Sequence, residues 1–133
     1  MTPFKLQIIT PDGVFFDGET DNLVVRTTVG DKGILAHHEP YVAALPIGKF
    51  KMRLDGKFRY GAIASGVVKV GKDKTVILAQ SCEWADEIDI ERAERAKETA
   101  EHKLASPGSD QELMVAEYKL KRALNRIETS KLR

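Results

Sequence analysis

Apolar residues recur with period two in the first part of the chain and at steps of three and four in the last part. Phe4, Leu6 and Ile8 alternate with Lys5, Gln7 and Ile9, the pattern of a strand with one buried face. Pro11-Asp12-Gly13 then supplies turn chemistry. Val14-Phe15-Phe16 and Leu23-Val24-Val25 are short apolar runs bounded by Gly18 and Gly30, and Gly30-Asp31-Lys32-Gly33 reads as a further turn. Ile34-Leu35 and Val42-Ala43-Ala44-Leu45 flank a polar loop, His37-His38-Glu39-Pro40. Phe50, Met52 and Leu54 alternate with Lys49, Lys51 and Arg53. Asp55-Gly56 predicts a type I′ hairpin there, because both central positions of that turn need positive φ. Phe58 and Tyr60 open the return strand, and Ser65-Gly66 and Gly71-Lys72-Asp73-Lys74 punctuate the apolar runs that follow. Turn signals spaced by about ten residues predict a β-sandwich or barrel-like antiparallel domain up to Glu83.

The pattern changes across Glu83-Trp84-Ala85-Asp86-Glu87-Ile88-Asp89. Nine of the ten glycines precede residue 72, while Glu, Lys, Arg, Ala and Leu dominate after this joint. Asp89 suits an N-cap, since its carboxylate can accept a first-turn backbone N–H. Ile90, Ala93, Lys97 by its stem, Ala100 and Leu104 form a narrow apolar stripe. Ala105-Ser106-Pro107-Gly108 breaks that helix, and Ser109-x-x-Glu112 is a capping box for the next. Leu113, Ala116, Leu120, Ala123, Leu124 and Ile127 make its stripe. The short connection predicts an antiparallel helical hairpin. The expected organisation is therefore a sandwich over residues 1–85 and a hairpin over 86–133, α+β overall. Alanine-rich stripes bury little area, so the hairpin is expected to be weakly held and able to open.

A length of 133 residues suits one domain with an appendage, and 31% charged residues against a norm of about 25% fits a solvated helical part. The net charge of +1 removes whole-chain polyanion binding as a function. A nucleic-acid adaptor using the basic last helix lacks an aromatic stacking pattern as well. The single Cys82 excludes an intrachain disulfide, fits a reducing compartment, and reads as a buried, inert thiol. No apolar run approaches the ~20 residues that span a bilayer, and Met1-Thr2-Pro3-Phe4-Lys5 lacks the basic and apolar regions of a signal peptide. A soluble, intracellular protein is expected.

Two motifs dissolve on inspection. Gly66–Asp73 matches G-x-x-x-x-G-K, but Asp73 stands where the hydroxyl ligand of Mg²⁺ belongs, and the segment reads as a strand. His37-His38-Glu39 has no distant Cys or His cluster to complete a metal set. Charge on the last helix is more informative. From Lys119 to Arg133 there are six cations and one acid, Glu128. Arg122 and Arg126 lie four apart on one face. Antiparallel packing would bring them to Arg92, near Asp89 and Glu83. Three guanidiniums beside a helix N-terminus can hold phosphate, although a solvated basic face explains the same spacing. No catalytic base with an orienting group is evident, so an enzyme in its own right is not expected.

Thr10-Pro11-Asp12-Gly13, the G-I-L-x-x-H-x-P run from Gly33 to Pro40, Ser65-Gly66, the strand Thr75-Val76-Ile77-Leu78-Ala79 and the two-helix tail occur in that order over nearly the whole chain. Together they resemble the epsilon-subunit family of F-type ATP synthase. The resemblance implies a ten-stranded sandwich, a place in the central stalk, and contacts with the gamma subunit and the membrane c-ring. A loop holding Asp31 and His38 would face that ring. The family usually has proline at Ala36 and often glycine at His37. Bacillus-type members bind ATP through I/L-D-x-x-R-A, which Ile88-Asp89-x-x-Arg92-Ala93 fits, with Glu83, Arg122 and Arg126 at matching positions. Thr99 stands where some relatives carry a further arginine. The resemblance further implies that ATP, with or without Mg²⁺, keeps the hairpin folded. Without it the hairpin would extend along gamma among the catalytic alpha/beta subunits, and the basic last helix, with Lys119 and Lys121, would meet an acidic loop of the beta subunit and block ATP hydrolysis. A vestigial ATP site with ATP-independent inhibition is the alternative within the same family. Either way the chain would sit peripherally on the cytoplasmic face of the cell membrane, through the complex.

Overall fold

The structure is a computed structural model and describes residues 2–133; Met1, the first residue of the expected sandwich, lies outside them. Eight strands come first: β1 (Phe4–Thr10), β2 (Gly13–Thr20), β3 (Leu23–Thr27), β4 (Gly30–Ile34), β5 (Tyr41–Leu45), β6 (Gly48–Leu54), β7 (Lys57–Val70) and β8 (Thr75–Trp84). A 3-10 turn, Ala85–Glu87, leads to α1 (Ile90–Leu104) and α2 (Asp110–Ser130). The fold is a β-sandwich followed by two helices, as the patterning predicts.

Four expectations change in detail. The strands number eight rather than ten, because β7 and β8 each serve both layers. The first half of β7 pairs with β6 over Lys57–Ile63, and its second half pairs with β5 over Gly66–Val70. Ser65, at φ 58°, marks the change of direction, so Ser65-Gly66 lies inside a 14-residue strand and is not a turn between two. Gly66 is needed there for space, since a Cβ would collide with the Leu78 carbonyl oxygen on β8. The sheet is also not purely antiparallel: β1 runs parallel to β8, Leu6–Ile9 against Thr75–Leu78. Finally, the turn expected at Gly30–Gly33 falls at Thr28-Val29. The Thr27 hydroxyl closes it, accepting from the Val29 N–H at 3.2 Å and donating to the Gly30 carbonyl at 2.8 Å.

The hairpin at Asp55-Gly56 has φ 52° and 79° at its central residues, the type I′ geometry. The core fills the space between layers with Leu6, Ile8, Leu23, Val25, Phe50, Met52, Val68 and Ile77, all but sealed from solvent. At one end Trp84 packs against Phe15, Phe16 and Phe50. Arg59 stacks on its indole at 4.1 Å and pairs with Asp86 at 3.1 Å. The joint is thereby pinned to the sandwich before the helices begin.

Candidate functional site

Asp89 caps α1, its carboxylate accepting the Arg92 backbone N–H at 3.0 Å, and Ser109 caps α2 by accepting from the Glu112 N–H at 3.1 Å. Both caps follow from local sequence. The helices meet along a seam of buried alanines, Ala93, Ala100, Ala116 and Ala123. Each methyl contributes about 0.8 kcal/mol, so the seam gives closeness rather than strength. Two residues expected on the stripes lie off it. Ile90 and Leu124 are each 39% exposed, because they sit about 60° and 100° around their helices from the buried alanines. Ile88 is buried instead, in the joint.

Polar contacts tie α2 to the sandwich, beginning with Tyr118 Oη and Ser65 Oγ on β7 at 3.3 Å. Asn125 Nδ2 donates to the Gly48 carbonyl at 3.0 Å, and Lys49 meets Glu128 at 3.0 Å. Arg126 holds Glu83 at the end of β8 with both arms of its guanidinium, at 2.6 and 3.0 Å. Just past α2, Arg133 donates to the Ile88 carbonyl at 3.1 Å. The antiparallel packing then brings Arg92 to Arg122 and Arg126, as the spacing predicts, and the three line two cavities in common.

The first cavity, about 230 Å³, is closed by Thr10, Asp12, Ser81, Cys82 and Glu83. The second, about 370 Å³, runs between the helices over Ala100 and Ala123 and carries Thr99, Lys103 and Lys119 on its rims. No carboxylate lines the second cavity, so it is a cationic groove with an alanine floor. Of the seven expected ligand residues, Glu83, Arg92, Arg122 and Arg126 come together here. Ile88, Asp89 and Ala93 line neither cavity; they bury the joint, cap the helix and form the seam that sets where Arg92 stands. Cys82 borders the first cavity, but burial pushes its thiol well above the usual range, which makes it a poor nucleophile.

The expected partner residues separate. Asp31 is not in a loop with His38. It lies in β4, paired with Arg26 at 2.6 Å, near the foot of α2. His38 lies beyond the other end of β4, with its ring against Tyr41. Lys121 is exposed beside Glu117, whereas Lys119 turns into the groove. Two features escaped the sequence reading. Lys103 stands eleven residues after Arg92, hence only about 20° from it around the helix, and that spacing was the available signal. The other is an apolar row across five strands: Ala44, Val67, Leu78, Ile9 and Val14 are successive register partners. Val67, Leu78 and Val14 in that row are 41%, 54% and 59% exposed. Only the strand order, with its parallel β1–β8 pair, reveals this row.

Known proteins are similar over almost the full length. The family model described as ATP synthase, Delta/Epsilon chain, beta-sandwich domain matches residues 3–85, and the corresponding long alpha-helix domain matches residues 86–131. An ATP synthase epsilon chain of Ruminococcus albus is 47% identical over 131 residues, covering 98% of each chain. One of Bacillus velezensis is 40% identical over 130 residues, again covering 98% of each. Among solved structures, a chain of the Euglena gracilis mitochondrial ATP synthase superposes with a TM-score of 0.82 at 24% identity, covering 100% of this chain and 83% of that one. At that identity the likeness bears on the fold.

Proposed function

The chain belongs to the family of ATP synthase epsilon chains, and from that premise we propose that its cationic cleft binds ATP and that the bound nucleotide holds the helical hairpin shut. The epsilon chain is a non-catalytic subunit of the central stalk of the synthase. In that stalk the sandwich docks on the gamma subunit and reaches the c-ring, coupling proton flow to ATP synthesis. The exposed row Ala44–Val67–Leu78–Ile9–Val14 suits such a dock, since an apolar band continuous over five strands is costly to leave in water. Membrane association would come through the complex, on its cytoplasmic face. No helix among the described residues is long and apolar enough to cross a membrane.

The observation that carries the reading is the convergence of Arg92, Arg122 and Arg126 across the helix pair. A triphosphate bridging α1 to α2 binds the compact form alone, because opening the hairpin separates the cations. Ligand shifts an equilibrium only through such a difference in affinity. An alanine seam and a few polar contacts leave little for the ligand to overcome. When ATP is scarce, the released α2 presents Lys119 and Lys121 to an acidic surface of the catalytic subunits and stops hydrolysis. Calorimetry with the isolated chain tests the site. Arg92→Ala, which removes an exposed guanidinium outside any ion pair among the described residues, is expected to weaken ATP binding by about 1–3 kcal/mol. Unchanged affinity would remove the site.

One observation favours a second reading. Glu83 pairs with both arms of Arg126, an internal latch between β8 and α2 that competes with phosphate for this guanidinium, and on this reading inhibition would answer to another signal. Absence of any heat with millimolar ATP would establish that reading instead.

A further inference from the structure

The C-terminal end of α2 returns to the joint where the chain leaves the sandwich, and α2 packs on the 3-10 turn Ala85–Glu87. Two opposed demands meet there. The first concerns a carbonyl. Asp89 caps α1 by taking the Arg92 N–H on its side chain, while its own carbonyl takes the Ala93 N–H. The Ile88 carbonyl, one residue earlier, is thereby left without a donor from the helix. Arg133, just past α2, donates one arm of its guanidinium to that carbonyl at 3.1 Å and its Nε to the Ser130 carbonyl at 3.0 Å. The Ser130 carbonyl is one of the acceptors that a helix end leaves open, and a cation is favoured beside it. A single side chain thus spans the hinge, from the end of α2 to the residue that precedes the α1 cap. The second demand runs the other way. Thr129, in the same turn of α2, is 0% exposed, and its hydroxyl has no hydrogen-bond partner among the described residues. A buried hydroxyl left unpaired favours any state in which water reaches it.

We propose that the last turn of α2 controls the opening of the hairpin, with Arg133 as a strap across the hinge and Thr129 as a built-in load that favours release. The strap acts only in the closed form, because Ile88 and Ser130 part when α2 lifts from the joint. The load also acts only there, because lifting the turn hydrates the Thr129 hydroxyl. Each effect is modest and their signs are opposite, so the closed form is favoured by a small difference. An element balanced in this way answers to weak inputs. Thr129 and Arg133 line neither cavity of the cationic cleft. The device therefore works whether or not nucleotide binds there.

Hydrogen exchange of the full-length chain, read at the backbone amides of Glu128, Thr129 and Ser130 and at those of β7, tests both halves. The variants are Arg133→Ala, Thr129→Val and a control, Lys131→Ala, which removes an exposed cation beside the same helix end without touching the bond to Ile88. Arg133→Ala is expected to speed exchange at the end of α2 about threefold to tenfold, and Thr129→Val to slow it by a similar factor. Lys131→Ala should match the native chain, and β7 should be unchanged in all three. Native exchange in Arg133→Ala overturns the strap. So does an equal effect of Lys131→Ala, which would make charge at the helix end the cause. Thr129→Val that exchanges at the native rate or faster overturns the load. Changes that reach β7 in equal measure overturn both, since the variants would then act on the stability of the whole fold.

Discussion

Arg126 gives both arms of its guanidinium to Glu83, and only 15% of its side chain is exposed. It is therefore a strut between α2 and β8 before it is a ligand group. Arg126→Ala leaves a largely buried carboxylate without its partner and is expected to lower stability by about 1–3 kcal/mol in urea denaturation. Arg92→Ala should leave stability within about 0.5 kcal/mol, as for an exposed position. Equal losses in the two variants would refute the strut. Cys82 offers a second check. With burial holding its thiol protonated, alkylation of the folded chain at pH 8 should run at least about tenfold slower than in urea. Asp89 was legible as a cap because capping is a four-residue event. The Glu83–Arg126 pair joins residues 43 apart, and no local pattern encodes which carboxylate meets which guanidinium.

At the scale of elements, the two helices are held differently. α1 rests on α2 through an alanine seam, and α2 rests on the sandwich through polar contacts from Tyr118 to Glu128. Hydrogen exchange should therefore be graded, with β7 and β8 slowest, α2 from Tyr118 onward intermediate, and α1 with the first two turns of α2 fastest. Sheet-like protection across the whole hairpin would contradict a latch that opens. Overpacking the seam with Ala116→Leu should cost about 1–3 kcal/mol and speed exchange in α1 without affecting β7. Periodicity and turn chemistry gave away these elements, down to positive φ at Asp55 and Gly56. They failed where an element depends on its neighbours. β7 looks like two strands because Ser65-Gly66 resembles a turn, yet pairing to β8 on one side and to β6 and β5 on the other carries it through. The parallel register of β1 on β8, which creates the exposed apolar row, has no local signature at all.

Across the whole molecule, the cluster that holds the sandwich ends at Trp84 and includes no helix residue. Deleting everything after Ile88 should thus leave a folded domain with its Trp84 environment intact, as the fluorescence spectrum would report. Its acid stability should survive too. Arg53 donates to Asp21 at 2.6 Å and holds that carboxyl below the usual carboxylate range. A carboxyl depressed in the folded state contributes above its unfolded pKa of about 3.9, and the contribution is lost as pH falls through the folded value. Asp21→Asn should flatten that acid limb in the full-length and shortened chains alike, because Asp21 and Arg53 lie wholly in the sandwich. The hairpin contributes no residue to that core cluster, so its effect is expected on partners more than on the folding of the sandwich. Assembled into the synthase, the chain shortened after Ile88 should still support ATP synthesis, while ATP hydrolysis at low ATP should rise. An unchanged hydrolysis rate would mean that the hairpin is not an inhibitor, and the cationic cleft would then need another purpose.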